Sequence, residues 1–188
     1  SSCRLAFNGA ETVSPDTVER FSARFARYGL RSETQAPVYG LAESSVGLTF
    51  PPPGRAPIVD RIERDTFMRT GHAVPAAADD ANALRFVACG HPLPGHQVRI
   101  ADAAGFERGE REEGRLEFKG PSVTSGYFRN PEETRRLFHD EWLDSGDLAY
   151  VAGGDIYITG RVKDIVIRAG RNIYPHELEE AVGNIAGI

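Results

Sequence analysis

Four polar side chains in this 188-residue sequence stand where their neighbours do not account for them. Glu43 follows Tyr39-Gly40-Leu41-Ala42 in an apolar run, and Asp147 closes Ser145-Gly146 ahead of Leu148-Ala149-Tyr150. Arg161 and Lys163 sit where an apolar alternation breaks. A carboxylate after a glycine turn can accept hydrogen bonds from a diol with both oxygens, or ligate a hard cation. An arginine offers a planar fork suited to phosphate, and a tyrosine face such as that of Tyr39 can stack on a base. Taken singly, each residue also suits a turn or a solvated face. Together they point to a nucleotide phosphate ester, its ribose and a metal.

The break at Arg161 and Lys163 has its own logic. Ile158, Gly160 and Val162 share one parity of a strand, whereas Ile165 and Ile167 lie on the other. A period of two changes phase only at a bulge, a bend or the end of the element. Three charged residues in four, Arg161, Lys163 and Asp164, mark that place. A bulge on an edge strand would also produce the bend.

The elements that must carry these residues follow from pattern. A short strand is expected over residues 3–7, then a polar turn, Asn8-Gly9-Ala10-Glu11. Ser14 fits an N-cap, Pro15 the first helical position and Asp16 the positive end of the helix dipole. Val18, Phe21, Phe25 and Tyr28 repeat at helical spacing and are expected in the core, with Gly29 ending the helix. The strand–helix–strand order suggests an α/β unit. Four prolines in residues 51–57 break the chain. Residues 58–83 carry the weakest core signal, with a short helix around 65–69. From Leu84 short strands alternate with Gly and Pro turns, as in a small antiparallel sheet or barrel. Asn130 and Pro131 open one further helix, with Glu133 placed as in a capping box. Gly153-Gly154 turns a hairpin, and Pro175 opens a last helix with Leu178, Val182 and Ile185 on one face.

Composition excludes several classes. Apolar residues make up 40% and charged residues 26%, near a soluble globular average. A formal charge of −5 argues against a nucleic-acid binder, which needs a basic stripe. No apolar run reaches membrane-spanning length, and Arg4, Asn8 and Glu11 interrupt the only apolar stretch near the start. Cys3 and Cys89 read as two reduced thiols of a cytoplasmic protein. Cys89, His91 and His96 flank Pro92, Pro94 and Gly95, which reads as a proline-rich loop rather than a zinc site. The abrupt ends suggest a piece of a longer protein.

Family resemblance gathers these residues. "YGLAES", "GRLEFKGPSVTSGYFRNPEET", "WLDSGDLAY" and "GRVKDIVIRAGRNIYPHELE" resemble, in order, four motifs of the adenylate-forming superfamily. That superfamily holds acyl-CoA synthetases, fatty acyl-AMP ligases, luciferases and peptide-synthetase adenylation domains. "FNGAE", "YGLAES", "CGHPLPG" and "GRNIYP" are most similar to the fatty acyl-AMP ligase branch, and the long gap before "CGHPLPG" matches an insertion there.

The resemblance implies an ATP- and Mg2+-dependent enzyme that activates a fatty acid or other carboxylate as acyl-AMP. A thiol of CoA, or of phosphopantetheine on an acyl carrier protein, then takes the acyl group. It further implies that Asn8, Gly9, Ala10 and Glu11 line the adenine, with Tyr39 stacked on it beside Gly40, Leu41 and Ala42. By the same resemblance Glu43 holds magnesium, Asp147 accepts the ribose hydroxyls and Arg161 reaches ribose or phosphate. Lys163 is then the hinge between two half-reactions, and Gly170 allows close approach of the thiol.

The expected fold is mixed α+β in four stretches. Residues 1–50 end an α/β adenylate-binding subdomain, 51–83 are an insertion or linker, and 84–160 form a β-barrel-like subdomain. Residues 161–188 give the hinge and the first hairpin and helix of an α+β C-terminal domain. Ala42 and Ser145 depart from threonines common in relatives, and Gly114-Arg115-Leu116-Glu117 from Gly-Glu-Leu. The relatives' phosphate-embracing loop and distal catalytic lysine match nothing in these residues, so the chain alone is expected to be inactive. The alternatives are a fatty acyl-CoA synthetase and a non-catalytic adenine-nucleotide-binding relative.

Overall fold

The computed structural model describes residues 2–168, 171–175, 182 and 185. Gly170 and most of the helix expected after Pro175 lie outside the described residues. The chain opens as a βαβ unit. Strand β1 (Ala6–Asn8) pairs in parallel with β2 (Gln35–Pro37), and helix α1 (Pro15–Ala26) crosses between them. The Ser14 hydroxyl accepts from the Thr17 amide and Pro15 takes the first turn, as their positions predicted. Two expectations fail here. The strand starts at Ala6, because only residues 6–8 find a partner strand. Val18 is buried, but Phe21, Phe25 and Tyr28 are exposed and pack on one another instead, with centroids 4.6 and 6.2 Å apart.

Strand β3 (Thr49–Phe50) follows, then β4 (Val59–Ile62), helix α2 (Arg64–Thr70), β5 (Leu84–Val87) and β6 (His91–Pro92). Antiparallel pairs join β4 to β5 and β3 to β6. Residues 58–83 thus have more core than their composition suggests, since Ile62, Phe67 and Ala73 are fully buried. Phe67 is reached because Gly71, at φ 71°, ends α2 after two turns and folds the chain back.

The largest sheet is antiparallel and built from β7 (Gln97–Ala101), β8 (Gly114–Lys119), β10 (Trp142–Ala152) and β11 (Asp155–Arg161), in the order β11-β10-β8-β7. The short β9 (Phe138–His139) adds to β10. Helix α3 (Pro131–Leu137) precedes it. The Asn130 side chain caps α3 through the Glu133 amide, while the Glu133 carboxylate turns to Arg136 rather than completing the box. Gly153 and Gly154, at φ 58° and 82°, make the two-residue hairpin that the right-handed strand twist favours. A last hairpin pairs β12 (Val166–Arg168) with β13 (Arg171–Ile173).

Two cores result. One face of the large sheet buries Ile100, Leu116, Phe118, Leu143, Ala149 and Ile156 with Leu48. Its other face carries Glu117, almost fully buried between Arg99 and His139, with Arg99 and Lys119 lying over the Trp142 ring. The second core is aromatic: Phe67, Phe86, Tyr150, Tyr157 and Tyr174 close around Ile62 and Leu84.

Candidate active site

Asp147 owes its position to an irregularity. Strand β10 slips register against β8 between Asp144 and Leu148, and against β11 between Leu148 and Ala149. Gly146 takes φ 76°, a left-handed conformation that glycine accepts without cost. Its amide bonds to Asp144, the Ser145 hydroxyl donates to the Leu116 carbonyl, and the Asp147 amide donates to Ser145. Such a bulge re-aims a side chain, and bulges recur beside active sites. Here it delivers Asp147 to two partners. The Tyr39 hydroxyl donates to Asp147 Oδ2 at 2.6 Å, and Arg161 Nε lies 3.5 Å from Oδ1.

Burial raises the Asp147 pKa, and the Tyr39 bond and Arg161 charge only partly oppose it. The long, exposed arginine contact is too weak to win. Burial, together with the Asp147 charge, holds Tyr39 well above the usual tyrosine range. Three residues singled out from sequence, far apart along the chain, therefore meet. Asp147 retains the two-oxygen acceptor chemistry that a vicinal diol needs.

Glu43 lies on a short 3-10 turn, Ala42–Ser44, just after the carboxyl end of β2. The turn ends in two left-handed residues, Ser45 at φ 55° and Val46 at φ 83°. A β-branched residue there is strained, at a cost of about 1–3 kcal/mol. Gly40 is needed because a Cβ on it would stand 1.8 Å from the Val46 carbonyl oxygen. The Glu43 carbonyl accepts from the Thr124 amide, and its carboxylate Oε1 accepts from the Tyr127 hydroxyl at 2.6 Å. That bond, helped by burial, pushes Tyr127 up to about 12. Glu43, Tyr127, Leu137 and the Asp144, Ser145 and Gly146 bulge line one cleft of about 200 Å3 with Glu133 and Arg136. This is smaller than a whole-ligand pocket of about 300 Å3 or more.

Asn8, Gly9, Ala10 and Glu11 leave the end of β1 beside the end of β2. The Val38 amide donates to the Asn8 carbonyl, and a Cβ on Gly9 would meet the Val38 oxygen at 2.7 Å. Open α/β sheets bind ligands at the carboxyl ends of such parallel strands. Lys163 stands exposed in the turn after β11. That turn closes with the amides of Asp164 and Ile165 on the Arg161 carbonyl, so the phase slip is the end of one strand before another. The Val162 amide also donates to the Gly146 carbonyl.

Sequence reasoning missed Tyr127, and Tyr174 with Glu113. The Tyr174 hydroxyl donates to both Glu113 oxygens, at 3.1 and 3.0 Å, and Thr159 donates to Oε1 at 2.5 Å. The Tyr174 ring stacks on Phe67 at 5.6 Å, and Arg171 pairs with Asp65 at 3.3 Å. The post-turn hairpin is thereby docked onto α2. An aromatic adjoining Gly126 within a motif, and the lone tyrosine of "GRNIYP", were the available signals.

Three comparisons bear on this geometry. The family model for AMP-binding enzymes matches residues 1–128. A protein of Caulobacter vibrioides, provisionally assigned as an acyl-CoA synthetase, is 37% identical over 182 residues, covering 96% of this chain and 32% of its own length. A medium-chain-fatty-acid–[acyl-carrier-protein] ligase of Moorena producens is 34% identical, covering 97% of this chain and 32% of itself. A solved structure from a study of fatty acyl-adenylate ligases of E. coli and L. pneumophila superposes with a TM-score of 0.92 at 35% identity. It covers 98% of this chain and 33% of that one. The chain thus spans about a third of the length of the curated relatives it matches, 32% in both cases. Among the described residues, no helix is long and apolar enough to cross a membrane.

Proposed function

The chain belongs to the AMP-binding enzymes of the adenylate-forming superfamily, and from that premise we propose that the full-length protein joins a fatty acid to AMP and passes the acyl group to a thiol. The observation that carries the reading is Asp147, turned by a bulge onto Tyr39 and Arg161 beside the Glu43 cleft. In this reading both Asp147 oxygens accept the ribose hydroxyls. Tyr39, whose hydroxyl already orients that carboxylate, offers its ring to the base. Asn8, Gly9, Ala10 and Glu11, with Gly40, Leu41 and Ala42, form the adenine rim. Arg161 reaches ribose or α-phosphate.

A fatty acid carboxylate oxygen bonds to the α-phosphorus, the α–β anhydride bond breaks, and pyrophosphate leaves. The chain's contribution is positioning and charge complementarity. Magnesium, when bound, would offset phosphate charge. Glu43 would hold it, since such sites use one or two carboxylates with substrate phosphates and waters. In the second half-reaction the thiol sulfur attacks the acyl carbon, AMP leaves, and the thiol proton passes to solvent or base. Lys163 is the pivot between the two. A charged, solvated turn residue tolerates two backbone states better than a packed one.

For the acceptor we favour a carrier-protein thiol, as in a fatty acyl-AMP ligase. Segment 51–83 supports this, because α2 packs between the sheet body and the post-turn hairpin through Phe67 and Asp65. A packed element there restricts the swing about Lys163, and we infer that CoA transfer tolerates this restriction less than carrier-protein transfer does. A CoA acceptor is the second reading, favoured by the name of the C. vibrioides relative. The test uses full-length protein with ATP, magnesium and a fatty acid panel, reading pyrophosphate and then product mass after CoA or loaded carrier protein. Acyl-AMP without acyl-CoA supports the first reading. Efficient acyl-CoA formation supports the second, and silence with every acid overturns both.

A further inference from the structure

The strained turn that carries Glu43 must be held by something. Val46 is 79% exposed, so burial does not reward its left-handed backbone. Beyond the turn's own bonds to Leu41 and Ala42, restraint comes from the segment after β8. The Ser122 hydroxyl donates to the Ser44 carbonyl at 2.8 Å, and the Ser45 hydroxyl donates to the Ser122 carbonyl at 3.1 Å. Behind Ser122 stands His96, whose Nε2 lies 2.7 Å from the Ser122 hydroxyl oxygen.

Proton counting fixes the direction of this chain. A serine hydroxyl has one proton, and the Ser44 carbonyl can only accept it. His96 Nε2 must therefore carry a hydrogen and donate to Ser122, an assignment made from the network. The imidazole is itself fixed. It lies against Gly120, where a Cβ would stand 2.3 Å from its Cδ2, and its backbone amide bonds to the Leu93 carbonyl. The Leu93 amide in turn bonds to the Leu48 carbonyl, just beyond the strained turn. The loop bearing His96 thus grips both sides of the turn.

We propose that His96 and Ser122 are positioning residues for Glu43, a hydrogen-bond relay that keeps the 42–46 turn in its strained form so that the carboxylate faces the cleft. The proposal rests on the reading of Glu43 as the magnesium carboxylate, and it assigns two residues outside the adenylate contacts. Both act through the Ser44 carbonyl.

The test uses full-length protein and three variants. His96→Phe keeps a ring over Gly120 but loses the N–H. His96→Gln loses the ring but keeps a donor. Ser122→Ala removes the middle of the relay with little change of volume. Two readouts are taken: the Mg2+ concentration giving half-maximal pyrophosphate release, against the fatty acid KM, and amide hydrogen exchange over residues 40–47. His96→Phe and Ser122→Ala should raise the Mg2+ requirement about 10-fold, as loss of an outer-shell partner does, with the acid KM unchanged. Both should speed exchange in 40–47, and His96→Gln should recover most of the loss. Unchanged Mg2+ dependence with unchanged exchange in His96→Phe overturns the relay. Equal loss in the Gln and Phe variants overturns the hydrogen-bond role in favour of ring packing. If wild-type protein releases no pyrophosphate with any acid, the adenylation reading falls, and the exchange data still decide the relay.

Discussion

The core under the large sheet and the aromatic core differ in what holds them. Under the sheet, Ile100, Leu116, Phe118, Leu143 and Ile156 meet without a buried carboxylate among them. In the aromatic core, tyrosine hydroxyls bond to acids, Glu113 buried and Asp60 half-buried. Tyr150 donates to Asp60, which also receives Arg111, and Tyr174 donates to Glu113. Apolar contact is non-directional and adds up with area. A hydroxyl–carboxylate bond is directional, and half of it left behind is costly. The first core is therefore a platform, with the Asp147 bulge and Glu43 turn on its rim. The second is a lock: it specifies one seat for the post-turn hairpin and can be opened at a few bonds.

The strongest attack on this comparison is volume removal in each core. Phe67→Ala should destabilise by about 3–5 kcal/mol and Leu116→Ala by about 2–5 kcal/mol. Only the former should also expose residues 165–175 to limited proteolysis. Equal exposure from both would mean one continuous core. Next in size, Asp147→Ala should cut kcat/KM for acyl-adenylate formation about 100-fold, from two charge-assisted bonds together worth about 3 kcal/mol. Its thermal midpoint should fall by far less than the lost activity implies, because removing an acid penalised by burial offsets the Tyr39 bond left behind. A drop in midpoint to match the lost activity would make Asp147 a structural residue.

A finer probe is Tyr174→Phe, expected to weaken hairpin docking by about 1–3 kcal/mol. Burial raises Glu113 above its ordinary 4.5, against the bonds from Thr159, Tyr174 and Asn172. A raised carboxyl contributes stability that is complete below the ordinary value and is lost as pH rises through the folded one. Denaturation midpoints should therefore decline over that window, and Glu113→Gln should flatten the decline. A steeper slope in Glu113→Gln would refute the assignment. Smallest of all, Arg161→Gln should change stability by no more than about 0.5 kcal/mol, because its pair with Asp147 is long and exposed. Its effect should appear in the ATP KM, and a large change in melting would place Arg161 in the platform instead.

Much of this was legible locally. The caps at Ser14 and Asn130 and the Gly153-Gly154 hairpin each depend on residues within a few positions, and all three appear where expected. The meeting of Tyr39, Asp147 and Arg161 came from motif order, not from periodicity. What escaped notice spans distance. Tyr127 reaches Glu43 across 84 positions and Ser122 reaches Ser44 across 78. No local pattern marks one tyrosine or serine as the one that will do so. The exposed Phe21, Phe25 and Tyr28 failed for another reason: helical spacing reports that a face is apolar, not what covers it.

The bulge at Gly146 has one more consequence. Its carbonyl receives the Val162 amide, and the next residue is Asp147. One glycine is thus a common bearing for the nucleotide grip and for the proposed pivot. Adding or deleting a residue between Asp144 and Leu148 would misalign both at once. Anyone retooling such an enzyme for a new acid or a new thiol has independent handles elsewhere, but at this joint the two half-reactions have to be adjusted as a pair.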